Sequence, residues 1–245
     1  MAAPAVPAVV ALHVWGVRSV PRALWLMATG RRALDRIPGL TFGKLLGTGS
    51  GRSFTVRDAD PGHWAALTCW SDLAGPGRFE RSTTYRRWSA LSDEQGRMLL
   101  RPLRSRGRWS GRTPFGDPSR TDHGAAGPVA ALTRARIRPS QWPRFWRSVP
   151  PVSLDAHAGG GLLFGMGIGE APVGLQGTFS IWRDEPALLD FAYRRGPHRD
   201  AIRRTEQTGW YAEELFARFA VTELSGRYRG HELAALLPPP AGAAS

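Results

Sequence analysis

Residues 162–169 have the sequence LLFGMGIG, and residues 40–47 have the similar sequence LTFGKLLG. Both are short apolar runs with the pattern F-G-x-x-x-G, and runs of this kind are typical of strands. A second match follows in each half, WSDLAGPGRF at 70–79 and WRDEPALLDF at 182–191. Because the two matches occur in the same order, they predict that the chain contains two copies of one structural unit. The alternative is chance similarity between short apolar motifs.

The segments around these matches give the order of elements in each unit. Upstream, VVAL at 9–12 aligns with VAAL at 129–132, and a Trp-containing, helix-like stretch follows each. β-rich segments end at Asp72 and Asp184, and each aspartate can cap the helix after it. The predicted order is strand, helix, strand, strand, helix, strand, twice over, which is the ferredoxin-like arrangement. We therefore predict an α+β fold in which tandem ferredoxin-like βαββαβ repeats close into a barrel like the dimeric α/β barrels.

Stretches rich in Gly, Pro and Ser mark the boundaries of these units, because such composition is typical of linkers and mobile ends. The predicted organisation is a flexible tail at 1–8, a first repeat at 9–109, a linker at 110–127, a second repeat at 128–233 and a flexible tail at 234–245. We expect the second repeat to carry the functional site.

The composition of the 245-residue chain indicates a globular protein, since 42% of the residues are hydrophobic and 10% are aromatic. The net charge of +13 comes almost wholly from arginine, because Lys44 is the only lysine. A basic surface suits nucleic acid, anionic lipid or acidic ligands, while a codon bias towards arginine explains the charge equally well. The single cysteine, Cys69, excludes an internal disulfide and a Cys-based zinc site.

The N-terminal apolar run, MAAPAVPAVVALHVWGV, lacks the basic segment of a secretion signal and is too short to span a bilayer. We expect a cytoplasmic protein whose contact with a membrane, if it makes one, is peripheral.

One histidine of the second repeat lies on the predicted inner side of a helix. Five residues of this helix follow one another at spacings of three, four, three and four and so form a stripe along one side: Leu188, Phe191, Arg195, His198 and Ile202. The spacing turns His198 towards the sheet and the barrel. The first repeat has Arg86 at the matching position, so this histidine is specific to the second repeat. The alternative interpretation is a core histidine that bonds a backbone carbonyl.

Arginines surround His198 in the sequence. Guanidinium groups are planar and always charged, so they suit bidentate binding of carboxylates such as the propionates of a haem. We expect Arg194, Arg195 and Arg199 to include such partners, and Arg203 and Arg204 to lie on a solvated helix face.

The run FAYRRGPHRDAIRRTEQTGWYAEELFARFAV, residues 191–221, resembles the C-terminal part of spheroidene monooxygenases, which are acyclic carotenoid ketolases of the dimeric α/β-barrel kind. The resemblance spans most of residues 9–233 and is strongest over 162–221, while the N-terminal half matches only in general layout. The chain is also similar, more distantly, to haem-binding and cofactor-free monooxygenase barrels. The resemblance implies a ketolase that uses haem, dioxygen and electrons from a ferredoxin-type donor.

Oxygen insertion into an unactivated allylic C–H bond requires a metal or an organic cofactor. Haem iron needs one protein ligand and an open opposite face, and we predict His198 as this axial ligand and catalytic residue. Cys69 and His157 are alternative ligands, and Asp184 or Glu206 could orient the His198 ring.

Three other functions fit parts of the sequence: a haem carrier without oxygenase activity, a cofactor-free monooxygenase of the same barrel fold, and tandem RNA-recognition modules. RNA-recognition modules need aromatic residues in a [K/R]-G-F-G-F-type pattern on the third strand, and WAALTCW and QGTFSIW lack it. We therefore expect no nucleic-acid partner. The expected partners are an apolar carotenoid, a ferredoxin-type reductant and, because carotenoids reside in bilayers, the surface of a membrane.

Overall fold

The structure is a computed structural model, and it describes residues 5–49, 58–117, 125, 127–137, 161–170, 175–194 and 211–237. In chain order the elements are β1 Val9–Val17, α1 Val20–Leu34, β2 Leu40–Gly49, β3 Ala59–Trp70, α2 Gly75–Glu80, α3 Thr83–Leu91, β4 Ser92–Gly107, β5 Val129–Ile137, β6 Leu162–Gly169, β7 Leu175–Trp182, α4 Glu185–Leu189, β8 Tyr211–Tyr228 and β9 His231–Glu232. A π-helix at Asp190–Arg194 continues α4, and a 3-10 helix at Leu233–Leu236 follows β9.

Eight of the described strands close into an antiparallel barrel in the order β4-β1-β3-β2-β6-β7-β5-β8, and β8 pairs again with β4. Two seams join the halves. The seam between β4 and β8 is long and pairs Gly96–Gly107 with Leu215–Gly226, whereas the seam between β2 and β6 pairs only Gly47–Gly49 with Gly167–Gly169. The predicted α+β fold of tandem ferredoxin-like repeats in a dimeric-α/β-barrel-like arrangement is confirmed.

Side chains from all eight strands fill the lumen of the barrel. Because successive residues of a strand point to opposite faces, alternate positions such as Leu12, Leu67, Leu132 and Phe179 point inward, where they are buried. RNA-recognition modules stack bases on an open sheet face, but here the inner sheet faces pack against one another. The closed barrel therefore does not offer the open sheet face that RNA-recognition modules use.

The segment after β4 closes one end of the barrel. Trp109 and Phe115 are fully buried; Trp109 meets Phe42 edge-on with ring centroids 5.4 Å apart, and Phe115 meets Phe219 at 4.9 Å. Phe115 belongs to the linker predicted at 110–127, so part of that segment is packed structure.

The C-terminal end of the described chain also packs on the barrel. Leu233 is buried, and Leu236 and Leu237 lie against the same core. Packed structure thus continues beyond residue 234, where the sequence predicts that a flexible tail begins.

The helices lie on the outer faces of the two half-sheets. In the second half, Asp184 caps α4 by accepting a hydrogen bond from Ala187 N at 2.8 Å, and Pro186 occupies the first turn, as predicted. In the first half, Asp72 accepts a hydrogen bond from Ala74 N at 3.0 Å, but Ala74 itself is the N-cap of α2. Asp72 therefore stabilises the turn before the helix and does not cap it.

Candidate functional site

Four rows of side chains cross the outer face of each half, because residues paired across antiparallel strands point to the same face. In the first half, rows 1 to 4 are Val9–Trp70–Leu40, Ala11–Thr68–Gly43, His13–Ala66–Leu45 and Trp15–Trp64–Gly47. In the second half, rows 1 to 4 are Val129–Trp182–Leu162, Ala131–Ser180–Gly165, Thr133–Thr178–Gly167 and Ala135–Gln176–Gly169. The two halves can therefore be compared position by position.

Rows 1 and 2 are nearly the same in both halves. Trp70 donates its indole N–H to the Thr68 hydroxyl at 3.0 Å, and Trp182 donates to the Ser180 hydroxyl at 2.9 Å. Both tryptophans are buried. The repeated hydrogen bond shows that the duplication preserved side-chain geometry as well as strand order.

Rows 3 and 4 differ in side-chain volume. In the first half, Trp15 and Leu45 are 1% and 2% exposed. Their second-half counterparts are Ala135 and Gly167, and Thr133 replaces His13. Thr133, Gly167 and Thr178 are only half-buried, although all their counterparts in row 3 are buried. We call the surface formed by Thr133, Ala135, Gly167, Gly169 and Thr178 the small-residue face.

The first half fills the equivalent space with its own side chains. Trp15 stacks on Trp88 of α3 with ring centroids 5.6 Å apart, and Trp64 lies 5.7 Å from the same ring. The Cβ that a side chain at Gly30 of α1 would carry lies 2.8 Å from Leu45 Cδ1, so helix and sheet are in close contact. Among the side chains that the structure describes in rows 3 and 4 of the second half, Thr133, Ala135 and Thr178 are small, and Gly167 and Gly169 carry none.

His13 is a core histidine in the first half. Its ring packs against Phe79 at 5.0 Å and Tyr85 at 5.4 Å, and its Nε2 lies 3.2 Å from Glu80 Oε1. Burial lowers the pKa of His13, although the Glu80 carboxylate opposes this shift. Nδ1 is buried without a hydrogen-bond partner among the described residues. Sequence reasoning considered a core role for His198, but did not consider His13.

The predicted helical stripe faces the sheet at its first two positions. Leu188 is buried with Val129 and Trp182, and the Phe191 ring stacks on Trp182 with centroids 4.9 Å apart. The helix then changes to a π-helix at Asp190–Arg194, whose hydrogen bonds run from i to i+5. A spacing rule based on 3.6 residues per turn therefore cannot be continued unchanged beyond this segment.

Only one of the predicted cofactor-binding residues lies in the described part of the chain. Arg194 ends the π-helix, directly beyond the Trp182–Phe191 stack. The other predicted site residues lie outside the described residues: His157, Arg195, His198, Arg199 and Glu206. Their roles stay predictions.

Two alternative assignments can be judged from the structure. Cys69 is fully buried in the lumen, where burial raises the pKa of its thiol and disfavours the thiolate that a metal requires. Asp184 accepts its capping bond and pairs with Arg183 at 3.0 Å, so its carboxylate already has partners. Among the described residues, no group of three or more His, Cys, Asp or Glu side chains could hold a bare metal ion.

Sequence reasoning missed a buried charged cluster at the end of the barrel closed by Trp109. Arg134 of β5 pairs with Glu170 at 2.9 Å and also with Glu213. Glu170 accepts hydrogen bonds from Lys44 Nζ at 2.8 Å and Trp109 Nε1 at 2.7 Å. Burial alone would raise the pKa of Glu170, but these donors hold it below its ordinary value. The cluster fixes the ends of β5 and β8 beside the small-residue face.

Comparison with known proteins finds relatives along nearly the whole chain, although no protein-family model matches it. The chain is 35% identical over 218 residues to spheroidene monooxygenase of Rhodobacter capsulatus, which covers 89% of this chain and 90% of that protein. It is 32% identical over 228 residues to spheroidene monooxygenase of Cereibacter sphaeroides, covering 91% of this chain and 69% of the relative.

Among solved structures, two aldoxime dehydratases have a similar fold. One, in complex with butyraldoxime, matches with a TM-score of 0.57 and 10% identity, covering 93% of this chain and 84% of that one. The other matches with a TM-score of 0.52 and 13% identity, and the match covers 88% of this chain and 81% of that one. At this level of identity the likeness concerns the fold alone.

Proposed function

The chain belongs to the spheroidene monooxygenase family, and from this premise we propose that it is a haem-dependent monooxygenase that introduces a keto group into an acyclic carotenoid. Two successive hydroxylations of one methylene near the chain end give a geminal diol, which loses water to form the ketone. Each hydroxylation uses one dioxygen, two electrons and two protons and releases one water. A ferredoxin-type protein is the proposed electron donor.

The observation that carries this proposal is the small-residue face of the second half. A haem is flat and largely apolar, so it needs a broad surface free of bulky side chains beside its protein ligand. Trp15, Leu45 and His13 occupy that space in the first half, whereas the second half has Ala135, Gly167 and Thr133 at the same positions. These small residues of the described sheet face are compatible with a flat ring and support the proposal.

The surrounding residues have proposed roles in holding the cofactor. Leu188 and Phe191 pack on the sheet, and His198, seven residues further along the chain than Phe191, is the residue that we propose would hold the haem iron. Arg194, Arg195 and Arg199 would pair with the propionates, each charge-assisted pair contributing about 1.5–3 kcal/mol when it is shielded from water. When bound, haem supplies the capacity to insert an oxygen atom from dioxygen into a C–H bond.

The stacked rings of Trp182 and Phe191 lie on the same outer side of the second half-sheet, at row 1. Their apolar surfaces would exclude water from one side of the reacting carbon and suit the hydrocarbon chain of a carotenoid. We therefore propose that these two described residues contact the hydrocarbon chain of the substrate.

The test is a reconstitution of the purified chain with haem, an acyclic carotenoid, dioxygen and a reduced ferredoxin. We expect a Soret band and a product that has gained one oxygen and lost two hydrogens. Product formation by haem-free protein would support the cofactor-free alternative. Haem binding without product, in a preparation whose donor reduces the bound haem, would support the carrier alternative.

A further inference from the structure

Helix α1 carries apolar side chains on the side that faces away from the barrel. Leu24 and Trp25 are 55% and 58% exposed, and Pro21 and Ala28 are exposed as well. These four residues lie on one side of the helix because their positions differ by three, one and three. We call this surface the outer strip of α1.

The outer strip is separate from the packing side of the helix. Ala23, Leu26 and Leu34 are buried against the aromatic layer of the first half, so α1 is already anchored to the sheet. Leu24 and Trp25 add nothing to that core. Adjacent exposed Trp and Leu side chains on an otherwise charged helix surface indicate an interaction site.

The charge around the outer strip is positive. Arg22 and Arg32 are exposed within α1, and Arg36 is exposed just beyond its end. Helix α3 packs beside α1 and presents Arg86 and Arg87, which are also exposed. A tryptophan and a leucine flanked by arginines form the pattern of helices that lie in the interface of an anionic bilayer.

We propose that the helical layer of the first half docks on anionic lipid bilayers, with Leu24 and Trp25 in the headgroup region and Arg22, Arg32 and Arg36 at the lipid phosphates. The helix lies parallel to the surface; in the described part of the chain, no helix is long and apolar enough to cross a bilayer. A symmetric contact between two copies through this strip would bring the same arginines together, which disfavours self-association.

This inference goes beyond the proposed function and does not depend on it. If the substrate is a carotenoid, the docked face gives the enzyme access to the bilayer that holds it. The small-residue face belongs to the other half-sheet, so docking through α1 leaves that face uncovered by lipid.

The experiment measures binding of the full chain to vesicles of phosphatidylcholine with and without phosphatidylglycerol, at low and high salt. We expect binding that requires phosphatidylglycerol and weakens with salt. The double variant L24S/W25S should bind at least about tenfold more weakly. V6S is the matched control, since Val6 is 41% exposed outside α1 and its variant should bind like the wild type.

A charge-matched pair of variants tests the arginines. The affinity of R22Q/R32Q for anionic vesicles should fall about tenfold at low salt and change little at high salt. The control R183Q/R227Q removes the same charge elsewhere on the surface, and its affinity should change little. Quenching by brominated lipids reports on insertion. The chain has ten tryptophans, and W25F should remove most of the quenching that the wild type shows.

Binding to neutral and anionic vesicles alike, or unchanged binding of L24S/W25S, would overturn the proposal. The proposal would also be overturned if sedimentation showed that the wild type is a stable dimer and that W25F is a monomer. A third contradicting result would be a W25F variant that binds vesicles normally but is no longer reduced by the electron donor. A detergent assay separates the two proposals. If L24S/W25S converts micellar carotenoid normally but fails with carotenoid in vesicles, both stand; if vesicle binding holds and no variant makes ketone, only the proposed function fails.

Discussion

The first half of the barrel carries Trp15 and Leu45 on its outer face where the second half carries Ala135 and Gly167. Both faces share strand order, cross-strand register and the Trp–hydroxyl hydrogen bond of rows 1 and 2. The difference is confined to rows 3 and 4. The comparison indicates that the two units share rows 1 and 2 and differ in side-chain volume at rows 3 and 4, where we propose that haem binds.

The first half therefore has the features of a scaffold. Its tryptophans stack between sheet and helices, and the remaining polar side chain of row 3, His13, has an internal partner in Glu80. Close packing of this kind contributes to stability and leaves no room for a cofactor. The described residues of the small-residue face lack the bulky side chains that make this packing, and we expect a bound group to supply contacts there.

The largest effect should follow from removing bulk in the first half. Trp15→Ala should destabilise the fold by about 3–5 kcal/mol, because it leaves a cavity in a fully buried aromatic stack. Urea unfolding measures this change. Haem bound per folded molecule should stay at the wild-type level, and a drop would show that the first half also shapes the cofactor site.

The next effect concerns the proposed ligand of the second half. His198→Ala should weaken haem binding more than about 100-fold, since an axial ligand is lost, while the fold persists. Titration with haem, followed at the Soret band, measures the affinity. His13→Thr is the matched control in the first half and should bind haem normally; wild-type affinity in His198→Ala would disprove the assignment.

A smaller effect should come from making the second half resemble the first. Thr133→Leu with Thr178→Leu adds bulk to half-buried positions of the small-residue face. Haem affinity should fall by about tenfold, because the ring loses space, and thermal stability should hold or rise because apolar area is buried. Thr222→Leu, at an exposed position of β8, controls for added hydrophobicity. Unchanged haem affinity in the double variant would place the cofactor elsewhere.

The smallest effect is a pH dependence that belongs to the first half alone. Because burial lowers the pKa of His13, the unfolded chain binds a proton below about pH 6.5 that the folded chain does not. The stability from neutral His13 is present above that pH and is lost as the pH falls towards the lowered pKa. The pH dependence contributed by His63 has the opposite sign, since the hydrogen bond to Asp60 raises the pKa of His63. This contribution is the same in the wild type and in a His13→Thr variant, so it cancels when the two are compared.

Urea unfolding at about pH 7.5 and about pH 5.5 measures this contribution. The wild type should lose more stability between the two values than His13→Thr does. Equal losses would mean that His13 titrates alike in the folded and unfolded chains.

The repeated motif made much of the fold predictable. β6 and β7 span 162–169 and 175–182, the bounds expected from their apolar runs, because each run is delimited by Gly-rich or polar turns. The contrast between Trp15 and Ala135 could also have been found by extending the same alignment along β1 and β5. That extension was the missing signal for the small-residue face.

Other features depend on tertiary contacts that local pattern cannot reveal. The π-helix at Asp190–Arg194 shifts hydrogen bonds by one residue, and nothing in helical spacing indicates such a shift. Phe115 lies in a Gly- and Pro-rich segment typical of a linker, yet the open barrel end offers it a buried position. Arg134, in contrast, was detectable from the sequence. It occupies an inward position of a strand with alternating side chains, which indicates a buried charge that needs oppositely charged partners.

The short seam between β2 and β6 has a consequence for amide hydrogen exchange. Glycines form most of it on both strands, and the Cβ that Gly167 lacks would lie 3.3 Å from Gly49 Cα. With few ladder bonds and little side-chain packing, these amides should open to deuterium sooner than those of the long β4–β8 seam. Since Gly167 and Gly169 belong to the small-residue face, occupancy of that face should slow their exchange selectively, giving a residue-level record of binding that needs no chromophore.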